Sequence, residues 1–224
     1  MHQISNPSIL YFGTPVVLIS TLNENNSYNL APISSAFWLG WRCMIGISAL
    51  SKTTENLLRT GECVLNLPSV NEVAAVNRLA LTTGSKPVPE GKLAKGYRFE
   101  PDKFDIAGLS AVDSEIVVAP RVLECPVQME AQLVATHPIA EESSTQRGKI
   151  VSIELKVVRV YLEESIQMKD NPDRVDPDKW RPLIMNFQQF YGLGEQVHPS
   201  ILAQVPEQLY QSSDWKAARE LSVE

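Results

Sequence analysis

Two short stretches of the sequence concentrate small polar side chains that could bind an anion. They are residues 29–35 (NLAPISS) and residues 48–56 (SALSKTTEN), and the second contains Lys52. The second stretch runs from a predicted strand into a predicted helix, where free backbone amides and the helix dipole favour a phosphate. Hydroxyl groups would position that phosphate, and Lys52 would add a positive charge. The residue types alone leave an ordinary helix cap open as the alternative.

No other pattern identifies a familiar catalytic or metal-binding motif. The sequence has no Gly-x-Ser-x-Gly, Walker loop, Gly-x-Gly-x-x-Gly, His-Glu-x-x-His or Cys-x-x-Cys. The three cysteines lie in apolar runs, which is typical of reduced, buried thiols in a cytoplasmic protein. Because the three histidines are dispersed, we expect no metal site.

Composition and charge exclude several classes of protein. The chain has 224 residues, of which 44% are hydrophobic and 21% are charged, a balance typical of a globular protein. The formal net charge is -6, so the chain as a whole lacks a basic nucleic-acid footprint. Apolar runs are too short for a membrane-spanning helix, and the N-terminus lacks the pattern of a signal peptide. We therefore expect a cytoplasmic protein whose partners are neither nucleic acids nor membranes.

Strands must position the polar stretches, because β-branched and alternating patterns dominate the chain. Strand patterns cover residues 15–21, 28–37, 43–49, 63–67, 112–122, 126–137 and 150–162. The two longest alternate apolar and polar side chains, which indicates half-buried antiparallel strands. In the first of these, Gln128, Glu130 and Gln132 lie on the polar face.

Helical periodicity is confined to four segments, residues 53–60, 70–81, 176–191 and 206–221. Residues 82–109 are rich in Gly, Pro and Lys and predict a long loop, a feature that is usually functional or mobile. Strands and helices do not alternate regularly. This favours a mainly β fold, an antiparallel barrel with flanking helices. We expect one domain over residues 1–224, with a helical extension from about residue 176.

The ordered motifs of the N-terminal third resemble the flavin reductase-like family. Its usual run is Asn-x-Ala-Pro-x-Ser, then Ser/Lys-x-Thr-x-x-Asn, then Thr-Gly-Glu-x-Val-x-Asn. These motifs match residues 29–34, 51–56 and 60–66, and the strong similarity covers roughly residues 10–70. The resemblance implies a Greek-key split β-barrel that binds FMN, within the pyridoxamine-phosphate-oxidase-like superfamily.

The same resemblance implies which residues contact the cofactor. Residues 51–56 would surround the FMN phosphate, and residues 29–35 would lie along the ribityl chain and the ring. The predicted cofactor-binding residues are Asn29, Ala31, Pro32, Ser34, Ser35, Ser48, Ser51, Lys52, Thr53 and Asn56. His137, at the end of a long predicted strand, is the candidate catalytic residue, with a purely structural role as the alternative.

The activity implied by the resemblance is an NAD(P)H-dependent flavin reductase. NADH or NADPH would pass hydride to FMN held without a covalent bond at the interface of a homodimer. FAD or free flavin could serve as substrate. An alternative is a flavin-binding or redox-sensing protein without nicotinamide turnover, and the loop over residues 82–109 would distinguish the two by the space it leaves above the ring.

Overall fold

The computed structural model describes residues 1–221, which form one large curved sheet with short flanking elements. The strands of this part of the chain are β1 Thr14–Pro15, β2 Val17–Leu22, β3 Tyr28–Ile33, β4 Ala36–Leu39, β5 Arg42–Ser48, β6 Glu62–Leu67, β7 Thr82–Thr83, β8 Arg98–Phe99, β9 Ala111–Val112, β10 Arg121–Val122, β11 Val127–Ile139, β12 Ile150–Leu162, β13 Gln167–Met168, β14 Asn171–Val175, β15 Ile184–Asn186 and β16 Gln189–Tyr191. The α-helices are α1 Lys52–Thr60, α2 Val73–Leu79, α3 Glu90–Leu93, α4 Lys103–Ala107 and α5 Ser213–Glu220. Short 3-10 turns cover Val70–Glu72, Glu164–Ile166, Ile201–Gln204 and Glu207–Tyr210.

The large sheet is closed into a barrel by the connection between β3 and β4. Its strand order is β3-β2-β6-β11-β12-β5-β4, and every neighbouring pair is antiparallel. The two edge strands are separated in the sequence only by Ser34 and Ser35, so the ends of the sheet must meet. Irregularities in the β11–β12 register fall between Glu130 and Ala131 and between Leu133 and Ala135, and such bulges bend a sheet. The predicted mainly β barrel is confirmed.

Two apolar clusters explain why β2 begins with the continuous apolar run of residues 17–19. Val17 and Ile19 point into the barrel interior with other buried residues of the sheet. Leu18 belongs to a second cluster, in which α2, α4 and the 183–190 region cover the outer face of β2 and β3. Because both faces of β2 are buried, it lacks the alternation of a half-exposed strand.

Part of the polar face of β11 is also buried, which corrects the expectation for Gln128 and Glu130, whereas Gln132 is exposed. Glu130 is fully buried and accepts hydrogen bonds from the backbone amides of Glu115, Ile116 and Val117 at 2.9, 2.6 and 3.0 Å. The Tyr161 hydroxyl donates to the same carboxylate at 2.7 Å. The 113–120 segment therefore covers β11, and the predicted strand over residues 112–122 is reduced to the short pair β9 and β10.

The predicted helix over residues 176–191 is wrong, because these residues end in a hairpin. β15 pairs with β16 and, on its other edge, with β1. The turn residues Phe187 and Gln188 have φ of 46° and 63°, which suits the tight turn of a two-residue hairpin. Pro182 lies inside the predicted helix, where it removes a backbone donor and clashes with the preceding turn. The predicted helical extension from residue 176 therefore contains the two strands β15 and β16.

The other three predicted helices are wholly or partly helical in the structure. α1 agrees with the predicted helix over residues 53–60, and Gly61 ends it with φ of 75°. The predicted helix over residues 70–81 is a 3-10 turn capped by Ser69 followed by α2. The predicted helix over residues 206–221 is a 3-10 turn and then α5, which begins at the cap Ser212. None of the helices in the described part of the chain has the length and apolar character needed to span a bilayer.

Candidate functional site

A cavity of about 180 Å³ opens where β3, β5 and the start of α1 meet the segment that follows α2. Closure of the barrel brings the two polar stretches together there, although residues 36–47 separate them in the sequence. The lining residues are Asn29, Ala31, Pro32, Ile33, Ile47, Ser48, Ser51, Lys52, Thr53, Leu79, Ala80, Leu81, Thr82, Thr83, Gly84, Lys92, Tyr97 and Lys103. This set joins polar groups and lysines to apolar walls, so it can hold a ligand with an anionic end and an apolar ring.

The N-terminus of α1 offers backbone donors to this cavity. Ser51 is the cap, and its Oγ accepts from the Thr54 amide at 3.1 Å. The amides of Lys52 and Thr53 fall in the first turn, where a helix supplies no internal partner. Ser51 therefore caps the helix, and the next two amides have no partner within it, which leaves the predicted anion site open.

Asn29 and Thr53 form a buried pair at the back of the cavity. The Asn29 Nδ2 donates to Thr53 Oγ1 at 3.2 Å and to Thr21 Oγ1 at 3.4 Å. Because Thr53 Oγ1 accepts that bond, its own hydrogen remains to be donated to a ligand. The Asn29 Oδ1 is buried and has no hydrogen-bond partner among the described residues. A buried acceptor of this kind is costly unless a ligand or water pairs with it.

Gly84 lets the loop approach this pair closely. A Cβ on Gly84 would lie 2.7 Å from Asn29 Oδ1 and 3.1 Å from Lys52 Cγ. Only a residue without a side chain fits there, so the backbone around Gly84 forms one wall of the cavity. β7 and β8 hold this wall in place through a short parallel pairing.

Three lysines give the cavity a positive charge in a chain whose net charge is -6. Lys52 contacts Glu55 at 2.7 Å, whereas Lys92 donates to Thr83 Oγ1 at 3.1 Å. Lys103 is 3% exposed, and burial together with the nearby charge of Lys92 lowers its pKa to about 8. Burial also lowers the pKa of Lys92. None of the described residues that line the cavity is Asp or Glu, so an anionic ligand is favoured.

The structure brings seven of the ten predicted cofactor-binding residues to the cavity. They are Asn29, Ala31, Pro32, Ser48, Ser51, Lys52 and Thr53. Ser34 and Ser35 lie instead at the barrel closure, where Ser35 Oγ donates to the Gly46 carbonyl at 2.5 Å. Asn56 is fully buried and uses both amide hydrogens on Thr21 Oγ1 and Asn23 Oδ1, at 3.0 and 2.9 Å. Asn56 therefore connects α1 to β2 and the turn after it, and it does not line the cavity.

His137 does not line this cavity. Its side chain is 54% exposed, and its Nε2 lies 3.8 Å from Glu154 Oε2. Across the sheet it faces Ser152, on the outer surface of the barrel. Glu154 is shared with Arg42, whose guanidinium lies at 2.9 Å. Within one chain, His137 therefore stands apart from the groups that could hold a ligand.

Several lining residues were not predicted from the sequence. The composition of residues 82–109 predicts a long loop, usually functional or mobile, but does not indicate which of its side chains contribute to a site. Those that reach the cavity are Thr82, Thr83, Gly84, Lys92, Tyr97 and Lys103. Short elements rather than irregular chain position them, including α3 and α4.

The groups present fit a flavin mononucleotide. The free amides of α1, the Thr53 hydroxyl and the lysines suit a phosphate, and the apolar walls Ile33 and Ile47 suit a ring. The buried Asn29 Oδ1 could accept a hydrogen bond from the ligand, whereas a Cβ on Gly84 would lie only 2.7 Å from this atom. In residues 1–221, by contrast, no group of three potential metal ligands converges.

The family model described as flavin reductase like domain matches residues 9–194, and the chain belongs to this family. This membership supports a flavin-linked oxidoreductase.

One relative and two solved structures are similar to this chain over most of its length. The Bacillus subtilis protein YdfE is 36% identical over 191 residues, covering 85% of this chain and 89% of its own length. Flavoredoxin of Desulfovibrio vulgaris superposes with a TM-score of 0.71 at 21% identity, covering 91% of this chain and 99% of that one. Nitrilotriacetate monooxygenase component B from Bacillus cereus gives a TM-score of 0.67 at 20% identity, covering 86% and 89%. At such identities the two structures establish the shared split-barrel fold.

Proposed function

We propose that the chain is an FMN-binding oxidoreductase that takes hydride from NADH or NADPH. The observation that carries the proposal is the cavity at the start of α1, with three lysines and no carboxylate among its described lining residues. When bound, the flavin supplies the redox chemistry itself, so the protein needs no acid, base or nucleophile of its own. This accounts for the lack of a catalytic motif in the sequence.

The chain's own residues would bind and orient the flavin. The first-turn amides of α1, Thr53 and Lys52 would hold the phosphate, while Lys92 and Lys103 would approach it from the loop. Ala31, Pro32 and Ser48 would lie along the rest of the molecule. The exposed rim would leave a face of the ring open to a nicotinamide or another donor.

The test is anaerobic mixing of the FMN-loaded protein with NADH and, separately, with NADPH. Rapid loss of the flavin's visible absorbance, faster than for free FMN, is the expected result and also identifies the donor. If the absorbance persists although FMN is bound, the alternative of a flavin-binding protein without nicotinamide turnover holds. If added FMN does not bind, the flavin proposal fails.

A matched pair of variants connects the test to the cavity. Lys103→Met removes a buried cavity lysine, whereas Lys216→Met removes an exposed lysine of α5 that does not line the cavity. Only the first should weaken FMN binding. If both variants bind FMN with the same affinity, the proposal that the phosphate binds in this cavity is contradicted.

We also propose a cytoplasmic homodimer with the flavin at its interface. The three cysteines are free and buried, as expected of a reducing compartment. Large apolar side chains are exposed along both ends of the chain, among them Phe12 at 71%, Leu202 at 66% and Leu209 at 76%. Such exposure is typical of a surface that a partner covers. Light scattering that gives the mass of one chain at micromolar concentration would contradict the dimer.

A further inference from the structure

A second cavity of about 290 Å³ adjoins the first and shares three residues with it. The shared residues are Asn29, Lys52 and Gly84, which therefore form the boundary between the two spaces. The second cavity is otherwise lined by Asn23, Glu24, Asn25, Ser27, Lys86, Phe99, Glu100 and Pro101. It lies between the β2–β3 turn and the loop that carries β8.

The chemistry of the second cavity differs from that of the first. It contains an aromatic ring, Phe99, with the Lys86 Nζ 5.2 Å from the ring centroid. It also contains two carboxylates, Glu24 and Glu100, whereas the described lining of the first cavity has none. The carboxylates can accept hydrogen bonds from an amino group or from ribose hydroxyls. Lys52 and Lys86 also line this cavity and balance the two negative charges, so a phosphate can lie on the lysine side.

The β2–β3 turn adds neutral polar groups to this space. Asn25 Oδ1 accepts from the amide and the hydroxyl of Ser27, at 3.2 and 2.7 Å. This arrangement fixes the side chain of Asn25 and leaves its amide hydrogens available. Together with the Phe99 ring, such groups can recognise a purine by stacking and by hydrogen bonds to its edge.

We propose that the second cavity is a subsite for the adenosine phosphate part of a dinucleotide. The inference rests on the proposed function in one respect, because Lys52 would lie between this part and the flavin phosphate. One source is FAD, which would extend from the first cavity past Gly84 into the second. The other is NADH or NADPH bound beside FMN. The two sources share the adenosine phosphate that Phe99 and its neighbours recognise.

The experiment compares the affinities of the full chain for FMN, FAD and AMP, and of the FMN-loaded chain for NADH and NADPH. Phe99→Leu removes the ring and keeps an apolar side chain. Tyr210→Leu is the matched control, because Tyr210 is an exposed aromatic residue outside both cavities. Lys86→Gln is a second variant at an exposed position, where loss of folding is not expected.

In Phe99→Leu, the affinity for the dinucleotide that uses the subsite should fall between about fivefold and 150-fold, the range of base–aromatic stacking. FMN affinity should stay within about twofold, as for independent sites, which also shows that the variant is folded. A selective loss of FAD binding identifies the flavin dinucleotide as the source, and a selective loss of NADH or NADPH binding identifies the nicotinamide donor.

AMP separates failure of the subsite from failure of the flavin proposal. If the chain binds no flavin but binds AMP in a manner that depends on Phe99, the subsite stands and the flavin proposal falls. If Phe99→Leu and Lys86→Gln leave FAD, NADH, NADPH and AMP affinities within about twofold of the wild type, the subsite is overturned.

Discussion

The backbone of Gly84 lies against the buried amide of Asn29, so closely that a Cβ on Gly84 would be 2.7 Å from Asn29 Oδ1. This contact joins the loop after α2 to a strand of the barrel. It also places the loop beside Lys52, whose Cβ and Cγ would be 3.3 and 3.1 Å from the same Cβ. The three residues thus form one wall between two cavities, and its geometry tolerates no added atom.

Gly84→Ala should therefore disturb the site. The added methyl must displace Asn29 or the loop, and overpacking of this kind costs about 1–3 kcal/mol of unfolding free energy. FMN affinity should fall as well, because the displaced groups line the cavity. Denaturant titration and FMN titration measure the two effects.

Gly91→Ala is the matched control for this substitution. Gly91 lies in α3, and a Cβ there would meet no atom within 4 Å. Alanine in a helix is favoured over glycine by about 0.5–1 kcal/mol, so this variant should be unchanged or slightly more stable. If Gly84→Ala behaves in the same way, the wall is not as rigid as its contacts indicate.

Removal of the Thr53 hydroxyl should separate phosphate binding from ring binding. Thr53→Val loses the group that can donate to an anion and leaves Asn29 Nδ2 without one acceptor. One lost hydrogen bond to a charged group is worth about 1.5–3 kcal/mol, which predicts a loss of FMN affinity of tenfold or more. Riboflavin, which has no phosphate, should bind nearly as before.

Ser51→Ala provides the comparison within the same helix. Ser51 Oγ is engaged by the Thr54 amide, so its loss should lower the free energy of unfolding by about 1 kcal/mol as for other caps. FMN and riboflavin affinities should change little and in parallel. A selective loss of FMN binding in this variant would show that Ser51 contacts the phosphate directly.

The unpaired charge of Lys103 predicts a dependence of FMN binding on pH. Burial and the charge of Lys92 lower its pKa to about 8, while Glu100 opposes the shift. A bound phosphate stabilises the protonated amine, so FMN affinity should fall as the pH rises above about 8, by up to about tenfold per pH unit. Lys103→Met should bind FMN more weakly and with a flatter pH profile.

The same group predicts the opposite trend for the stability of the ligand-free protein. The pKa of Lys103 is lower in the folded chain than its ordinary value of 10.5, so between these values the unfolded chain binds more protons. The contribution of Lys103 to the free energy of unfolding therefore rises with pH over the window from about 8 to 10.5. Urea titrations across this window should show that the free energy of unfolding of the wild type increases with pH relative to that of Lys103→Met.

The sequence predicts the barrel strands and the polar half of the site because both depend on local signals. The alternation in β11 and β12, the cap at Ser51 and the ordered motifs are all visible within short segments. The lysines of the loop could not be assigned in this way. The burial of Lys103 arises only when α4 packs beside α2 and β3, and no local pattern marks that contact.

The errors have the same physical origin. The apolar spacing in residues 176–191 fits a helix, but β1 offers an edge with which β15 can pair, and Leu183 fills the second cluster. Likewise, Glu130 has the sequence position of a surface residue, yet the distant 113–120 segment supplies three backbone donors to it. In both cases a tertiary partner outweighs the local preference.

The position of His137 gives a final prediction about the reaction. Its Nε2 lies near Glu154 on the outer surface of the barrel, away from the cavity of the same chain. His137→Gln should therefore leave FMN affinity unchanged and alter the rate of flavin reduction by NADH or NADPH by less than about twofold, as for a distant site. Anaerobic single-turnover mixing measures that rate. A large loss of rate with unchanged FMN affinity would instead support a catalytic role, and it would require the histidine of one copy to face the flavin of another.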